Sequence, residues 1–326
     1  MKESLSRREF LQVSSAAAAA TALPGALASA AEAPAPGPYR GTLCMFSKPV
    51  PQLSWQELAQ AAKRAGFGGI DLTVRNELGH VMPERAAEDL PKAVAAIRAE
   101  GLEVPMITSE LTRGDDPTAR PILSTAAKLN IPYFKPGYYH YKFVDVRKEL
   151  EEAGTQFRGL IEVAKQYGVQ AGYHNHSGNV GAQVWDMARV MDTIDPKAAG
   201  YYYDLLNATM EGGASGWRID ANLVMPRLKM LGAKDFYWVK DEKRGWHGKS
   251  CPIGEGMCHW PQLLKTVAAA NFHGPISLHV EYQIEGVSDN QGRALSREKC
   301  DVVMAAVTKD LQTLKSLVHE AYEGAA

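Results

Sequence analysis

The sequence predicts an α/β protein of the (β/α)8 TIM barrel class, and three observations carry the prediction. From Gly41 onward, short apolar runs alternate with longer amphipathic ones, the form that repeated βα units take in a sequence. Once the N-terminal export segment is set aside, about 290 residues remain, the usual size of a single α/β barrel. The rival arrangement, an open doubly wound sheet, needs a glycine-rich phosphate turn after its first strand, where this chain has Lys48-Pro49-Val50-Pro51.

Ser6 to Gln12 reads SRREFLQ, and an alanine-rich apolar run follows to about Ala30, ending in the small-residue site Ala28-Ser29-Ala30. Paired arginines, a short apolar core and such a site mark a twin-arginine export signal. The run is too short and too small-sided to span a membrane. Residues 1–30 are read as the signal, 31–38 as a linker containing APAPGP, and 39–326 as one barrel domain.

Strands are expected at 41–46, 68–74, 102–108, 131–136, 169–175, 199–204, 228–234 and 275–281. Helices are expected at 54–65, 88–100, 117–129, 146–167, 184–194, 212–225, 260–270 and 296–321. Ser54 with Glu57 three residues on reads as a capping box. Gly66, Gly101, Gly168 and Gly200 stand where helices should stop and strands begin.

The net charge is −1 and no basic stripe appears, which argues against a nucleic-acid partner. The cysteines Cys44, Cys251, Cys258 and Cys300 show no CxxC spacing, although export permits disulfides and Cys251 with Cys258 could close one loop.

In a barrel of this class, chemistry is built at the C-terminal strand ends. The stretch GYHNHSGN, 172–179, places His174 and His176 on one side of the fifth strand, because side chains alternate along it. Strand two runs out to Arg75, with His80 in the loop beyond; Arg75 suits a carboxylate, phosphate or polyol, or a surface salt bridge. The segment Phe134 to Tyr141 offers Lys135 and Tyr138 for a sugar, or simple packing. Asp204 follows an aromatic run, where a buried carboxylate needs a partner, or it caps the next helix.

Lys234 is expected at the barrel mouth in preference to Lys240, which falls in the charged loop DEKRGWHGK. Glu281 closes the last strand as ligand or base. The loop from Lys240 to Gly256 is a lid or a solvated connection. His174, His176, Asp204 and Glu281 together suit a divalent metal, Mn²⁺, Mg²⁺, Fe²⁺ or Zn²⁺.

The succession GGIDLTVR, YHNHSGN, YYDLLNATMEGG, AKDFYW, PIGEGMCHW and GPISLHVEY resembles the sugar phosphate isomerase/epimerase family, the xylose isomerase-like barrels. The resemblance covers the chain after the linker. It implies a metal-binding barrel that isomerises, epimerises or dehydrates sugars and related keto-compounds through an enediolate. It also implies that the strand-five carboxylate position falls on His174, the pattern's histidine on His176, the strand-six aspartate on Asp204, the strand-seven Lys-Asp on Lys234 and Asp235, and the last glutamate on Glu281. The chain departs from the family pattern at His174, at Asn207 and at Gly232, where a metal ligand is usual.

The expectation is therefore an exported sugar isomerase/epimerase-like enzyme acting on a carbohydrate or polyol-derived hydroxyketone. His176 or Glu281 removes a proton next to a carbonyl, a metal and Lys234 hold the enolate oxygen, and Arg75 and His80 grip hydroxyls. Loss of the strand-five carboxylate favours a one-base reaction. A lyase or dehydratase on the same scaffold, and a non-catalytic periplasmic sugar-binding barrel, are the alternatives. The partner is a small-molecule carbohydrate; self-association into a homo-oligomer stays open.

Overall fold

Turn chemistry and side-chain parity build the barrel one βα unit at a time. The computed structural model describes residues 37–287 and 295–324, so the export signal and most of the linker lie outside the described residues. The first unit runs from β1 (Leu43–Phe46) to α1 (Trp55–Ala65). Ser54 and Glu57 form the reciprocal capping box at the start of α1, and Gly66, at φ 95°, ends it in the left-handed conformation that glycine adopts without strain.

The pattern repeats through β2 (Gly69–Val74), α2 (Ala86–Ala99), β3 (Glu103–Ser109), α3 (Ala119–Lys128), β4 (Tyr133–Lys135) and α4 (Val146–Tyr167). It continues through β5 (Gln170–His174), α5 (Val184–Met191), β6 (Ala199–Asp204), α6 (Leu205–Val224) and β7 (Leu228–Ala233). An extra hairpin, β8 (Asp235–Asp241) and β9 (Gly245–Cys251), precedes α7 (Trp260–Ala269), β10 (Ile276–Leu278) and α8 (Arg297–Tyr322). Eight parallel strands close in the order β1-β10-β7-β6-β5-β4-β3-β2, and the seam is sealed by Leu43 opposite Ile276 and Met45 opposite Leu278.

Outward-facing residues such as Ile70, Leu72, Ala171, Tyr203 and Leu231 are fully buried against the helices, which makes that annulus the main core. Inward-facing Met106, Tyr202 and Met230 fill the barrel itself and form a floor. Gly172 has no side chain because a Cβ there would collide with the Met230 methyl. The site rests on that floor.

Three expectations change. Gly200 stands at the start of a strand as expected, the second residue of β6, but it ends no helix; the Arg227 carbonyl packs against it. The stretch expected as a loop after Lys240 forms most of the β8–β9 hairpin: Asp241 Oδ1 accepts from the Lys243 and Arg244 amides, and Gly245 takes φ 64°. Cys251 and Cys258 are free thiols, as are Cys44 and Cys300.

Candidate active site

Every second residue of each strand faces inward, and carrying that parity past the strand ends delivers the polar side chains to one cavity of about 100 Å³. Its lining includes Arg75 from beyond β2, Lys135 from β4, Tyr138 just after it, His174 from β5 and His176 from beyond it, Lys234 from beyond β7 and Glu281 from beyond β10. Seven expected site residues therefore meet in one place. His80 is not among them: its ring contacts Thr73 Oγ1 at 3.4 Å, and burial lowers its pKa to about 4.

Asp204 lies directly beneath the lining, fully buried. Its Oδ1 accepts from the Asn207 amide at the start of α6, so it is a helix cap. Its Oδ2 is 3.1 Å from His174 Nε2 and 3.1 Å from Lys234 Nζ, so it is an ion-pair partner as well. Asn175 locks the same residue through its backbone, accepting from the Asp204 amide at 2.7 Å and donating to its carbonyl at 3.0 Å.

Lys234 Nζ also lies 3.3 Å from Glu281 Oε2, and Lys48 Nζ lies 3.3 Å from Glu281 Oε1. Burial opposes the Lys234 charge, but Asp204 and then Glu281 outweigh it and hold the ammonium charged. Burial likewise opposes both carboxylates, but Lys234 and the other donors outweigh it and hold them ionised. Asp235, the neighbour with opposite parity, takes no part; it accepts from the Phe236, Gly254 and Cys258 amides and ties the hairpin to the barrel.

Both β5 imidazoles are neutral. Burial lowers His174 to about 3 and, with the Lys234 charge second, His176 to about 4. His174 Nε2 donates to Asp204 while Nδ1 accepts from the Tyr138 hydroxyl at 3.2 Å, so both its nitrogens are committed. His176 Nδ1 lies 3.1 Å from the Ser177 carbonyl, an acceptor only, and 3.3 Å from Asn179 Nδ2, whose two hydrogens go to the Ser177 and His176 carbonyls at 3.1 and 3.4 Å; the Nδ1 proton therefore points to Ser177 and Nε2 keeps its lone pair. His176 is the one histidine of the pair equipped to take a proton.

The set His174, His176, Asp204 and Glu281 does not fit a divalent ion. The ammonium of Lys234 already bridges Asp204 and Glu281, and His174 Nε2 carries the proton that a metal ligand must lack. Gly232, opposite Asp204 in the β6–β7 register, supplies no ligand, and a Cβ there would lie 3.3 Å from Asp204 Oδ2. Among the described residues no cluster of three or more His, Cys, Asp or Glu side chains is arranged to hold a metal.

Parity along the last strand pairs His279 with Glu281 but gives it no role, and Lys48, Tyr202 and Phe46 are not among the expected site residues. His279 stacks on Phe46 at 4.1 Å between ring centroids, and its Nε2 lies 2.7 Å from the Tyr202 hydroxyl, closing the wall beside Glu281. The signal for His279 is the same parity that points to Glu281, two residues on. Lys48 sits in a proline-flanked loop whose path no strand pattern predicts.

A closed parallel barrel with an ionised pocket at its C-terminal mouth defines a TIM-barrel protein with its site in the usual place. The chain belongs to the xylose isomerase-like TIM barrel family, whose model matches residues 59–303. A twin-arginine translocation signal matches residues 4–24, and the protein is exported by that route. No curated protein matches the chain. Among solved structures, a xylose isomerase domain protein from Planctomyces limnophilus is 14% identical over 88% of this chain and 100% of its own, with a TM-score of 0.63. A xylose isomerase-like barrel from Mycobacterium smegmatis, in complex with magnesium, is 15% identical over 86% and 98%, with a TM-score of 0.61. D-psicose 3-epimerase from Clostridium cellulolyticum, solved with D-tagatose, is 12% identical over 85% and 99%, with a TM-score of 0.60. At these identities the likeness is one of fold.

Proposed function

We propose that this protein is a sugar isomerase of the isomerase/epimerase type, acting on a hydroxyketone or hydroxyaldehyde with a single base and with the Lys234 ammonium in the role that a divalent metal plays in a metal-dependent barrel. The observation that carries the reading is the Lys234 ammonium held between Asp204 and Glu281, beside a neutral His176 with a free Nε2. In this reading His176 Nε2 removes the proton on the carbon next to the carbonyl. Lys234 faces the oxygen on which negative charge develops and stabilises the enediolate there. The same His176 returns the proton to the neighbouring carbon while hydroxyl protons redistribute between the two oxygens. Glu281, tied to two lysines, is too weak a base to share the task and orients the hydroxyls.

A two-base epimerase would need a second proton-accepting group on the opposite side, and Glu281 is engaged. The magnesium bound by the Mycobacterium smegmatis protein supports metal chemistry in a barrel of this fold, and the donor set here supports a tethered cation instead. Residues 39–326 are proposed as the mature barrel domain.

The test is exchange. Keto-sugars incubated with the protein in D2O should gain deuterium at the carbon beside the carbonyl, with the isomer appearing in parallel by NMR. Binding without exchange across the panel would favour the sugar-binding alternative.

A further inference from the structure

We propose that the half of the mouth formed by β2 and β4 binds an anionic group of the substrate, so that the sugar acted on carries a carboxylate or a phosphate. The inference rests on the reading of the site as an enzyme for sugars and adds the class of sugar. Lys135 is only 3% exposed, yet its ammonium makes no hydrogen bond or ion pair among the described residues and sits 3.4 Å above the Tyr138 ring. Beside it, Arg75 offers one arm to Glu110 at 3.0 Å, while its Nε is buried without a partner.

The other charges near this wall do not supply the missing counter-ion. Glu110 is half-exposed at the rim and also accepts from the Asn76 amide at 3.0 Å. Asp71, buried on the barrel interior, accepts from Thr108 and Ser277 at 2.8 Å each and is raised by burial to about 6; it attracts the Lys135 charge from a distance but makes no ion pair with it. Glu281 is taken by Lys48 and Lys234. Among the described residues no carboxylate touches the Lys135 ammonium, and the Arg75 Nε beside it lacks an acceptor.

Burial and then the neighbouring Arg75 disfavour the Lys135 charge, and a ligand anion would restore it. A methionine would fill the same space with no such cost. A planar guanidinium beside an ammonium suits a carboxylate or phosphate better than neutral hydroxyls. The topology divides the labour: β2 and β4 lie on the side of the barrel away from β7, whose end carries Lys234, so an anion held there directs the rest of a short sugar toward His176.

Calorimetric titration of the purified mature protein with D-glucuronate, D-glucose 6-phosphate and D-glucose tests this without requiring turnover. One of the two acids should bind about tenfold or more tightly than glucose, as loss of a charge-assisted bond would predict, and which acid wins separates carboxylate from phosphate. Lys135→Met and Arg75→Gln should each erase that preference, read as the ratio of acid affinity to glucose affinity in the same variant. If one variant fails to fold, the other decides. Equal affinities for all three sugars, no binding of any, or a preference that survives both substitutions would overturn the proposal. Tight acid binding with no deuterium exchange would leave the subsite standing and sink the isomerase reading instead.

Discussion

Lys234 Nζ lies 3.1 Å from Asp204 Oδ2, and this pair, both members buried, places a fixed positive charge where carboxylates from β6 and the end of β10 converge. An isolated buried ion of either sign would cost several kcal/mol, so the two residues hold each other in place.

The first prediction concerns metal. The purified protein should contain divalent ions well below one per chain by elemental mass spectrometry, and EDTA should leave its isomerase activity unchanged. Lys234→Ala should free Asp204 and Glu281 and bind a divalent ion that the wild type does not. Stoichiometric metal in the wild type would contradict the reading.

Asp204→Asn should destabilise the fold by roughly 3 to 5 kcal/mol at neutral pH, because it leaves Lys234 without its main counter-charge. Chemical denaturation measures this directly. Since the Asp204 carboxyl is held below its ordinary value, its stabilisation is present above about pH 4 and is lost as the pH falls through the lowered folded value. A difference between wild type and variant that grows on acidification would be the wrong sign. The same pair makes Lys234→Met unsuitable as a purely catalytic variant, because it strands Asp204.

The pH profile of kcat/KM should be flat through neutrality and fall only on the acid side. The base works neutral, and His176 is lowered by burial and by Lys234 to about 4. A limb centred near the ordinary imidazole value of about 6.5 would point to a different base.

Replacing Arg7 and Arg8 by lysine should leave the protein in the cytoplasm, since the paired arginines are what the twin-arginine route reads. Fractionation with unchanged export would count against that route.

Most of this site could be read from alternation alone. The parity that sets His174 and His176 on one side of β5 also brings Arg75, Lys135, Lys234 and Glu281 to the same cavity, so strand ends located to within a residue or two suffice. What parity does not show is pairing across the barrel. Asp204 and Lys234 are 30 residues apart and meet from the ends of two strands, while Asp235, adjacent in sequence, faces the other way. The pairing decides the chemistry, turning an expected metal ligand set into a clamp on an ammonium. His80 fails for a related reason: its loop folds back so that the His80 amide bonds the Thr73 carbonyl, and the ring leaves the mouth. The β8–β9 hairpin is hidden by its charge, because a solvated antiparallel ribbon with polar faces has the composition of a loop.

The most direct test of the central claim is deuterium exchange at the carbon next to the carbonyl, measured with EDTA present for the wild type and for His176→Gln. His176 is only partly buried and belongs to no ion pair among the described residues, so the substitution should leave the fold intact. A single imidazole base assisted by a tethered ammonium predicts exchange in the wild type despite the chelator, and its loss by about a hundredfold or more in His176→Gln. Exchange that requires an added divalent ion, or that survives in the variant, would contradict it.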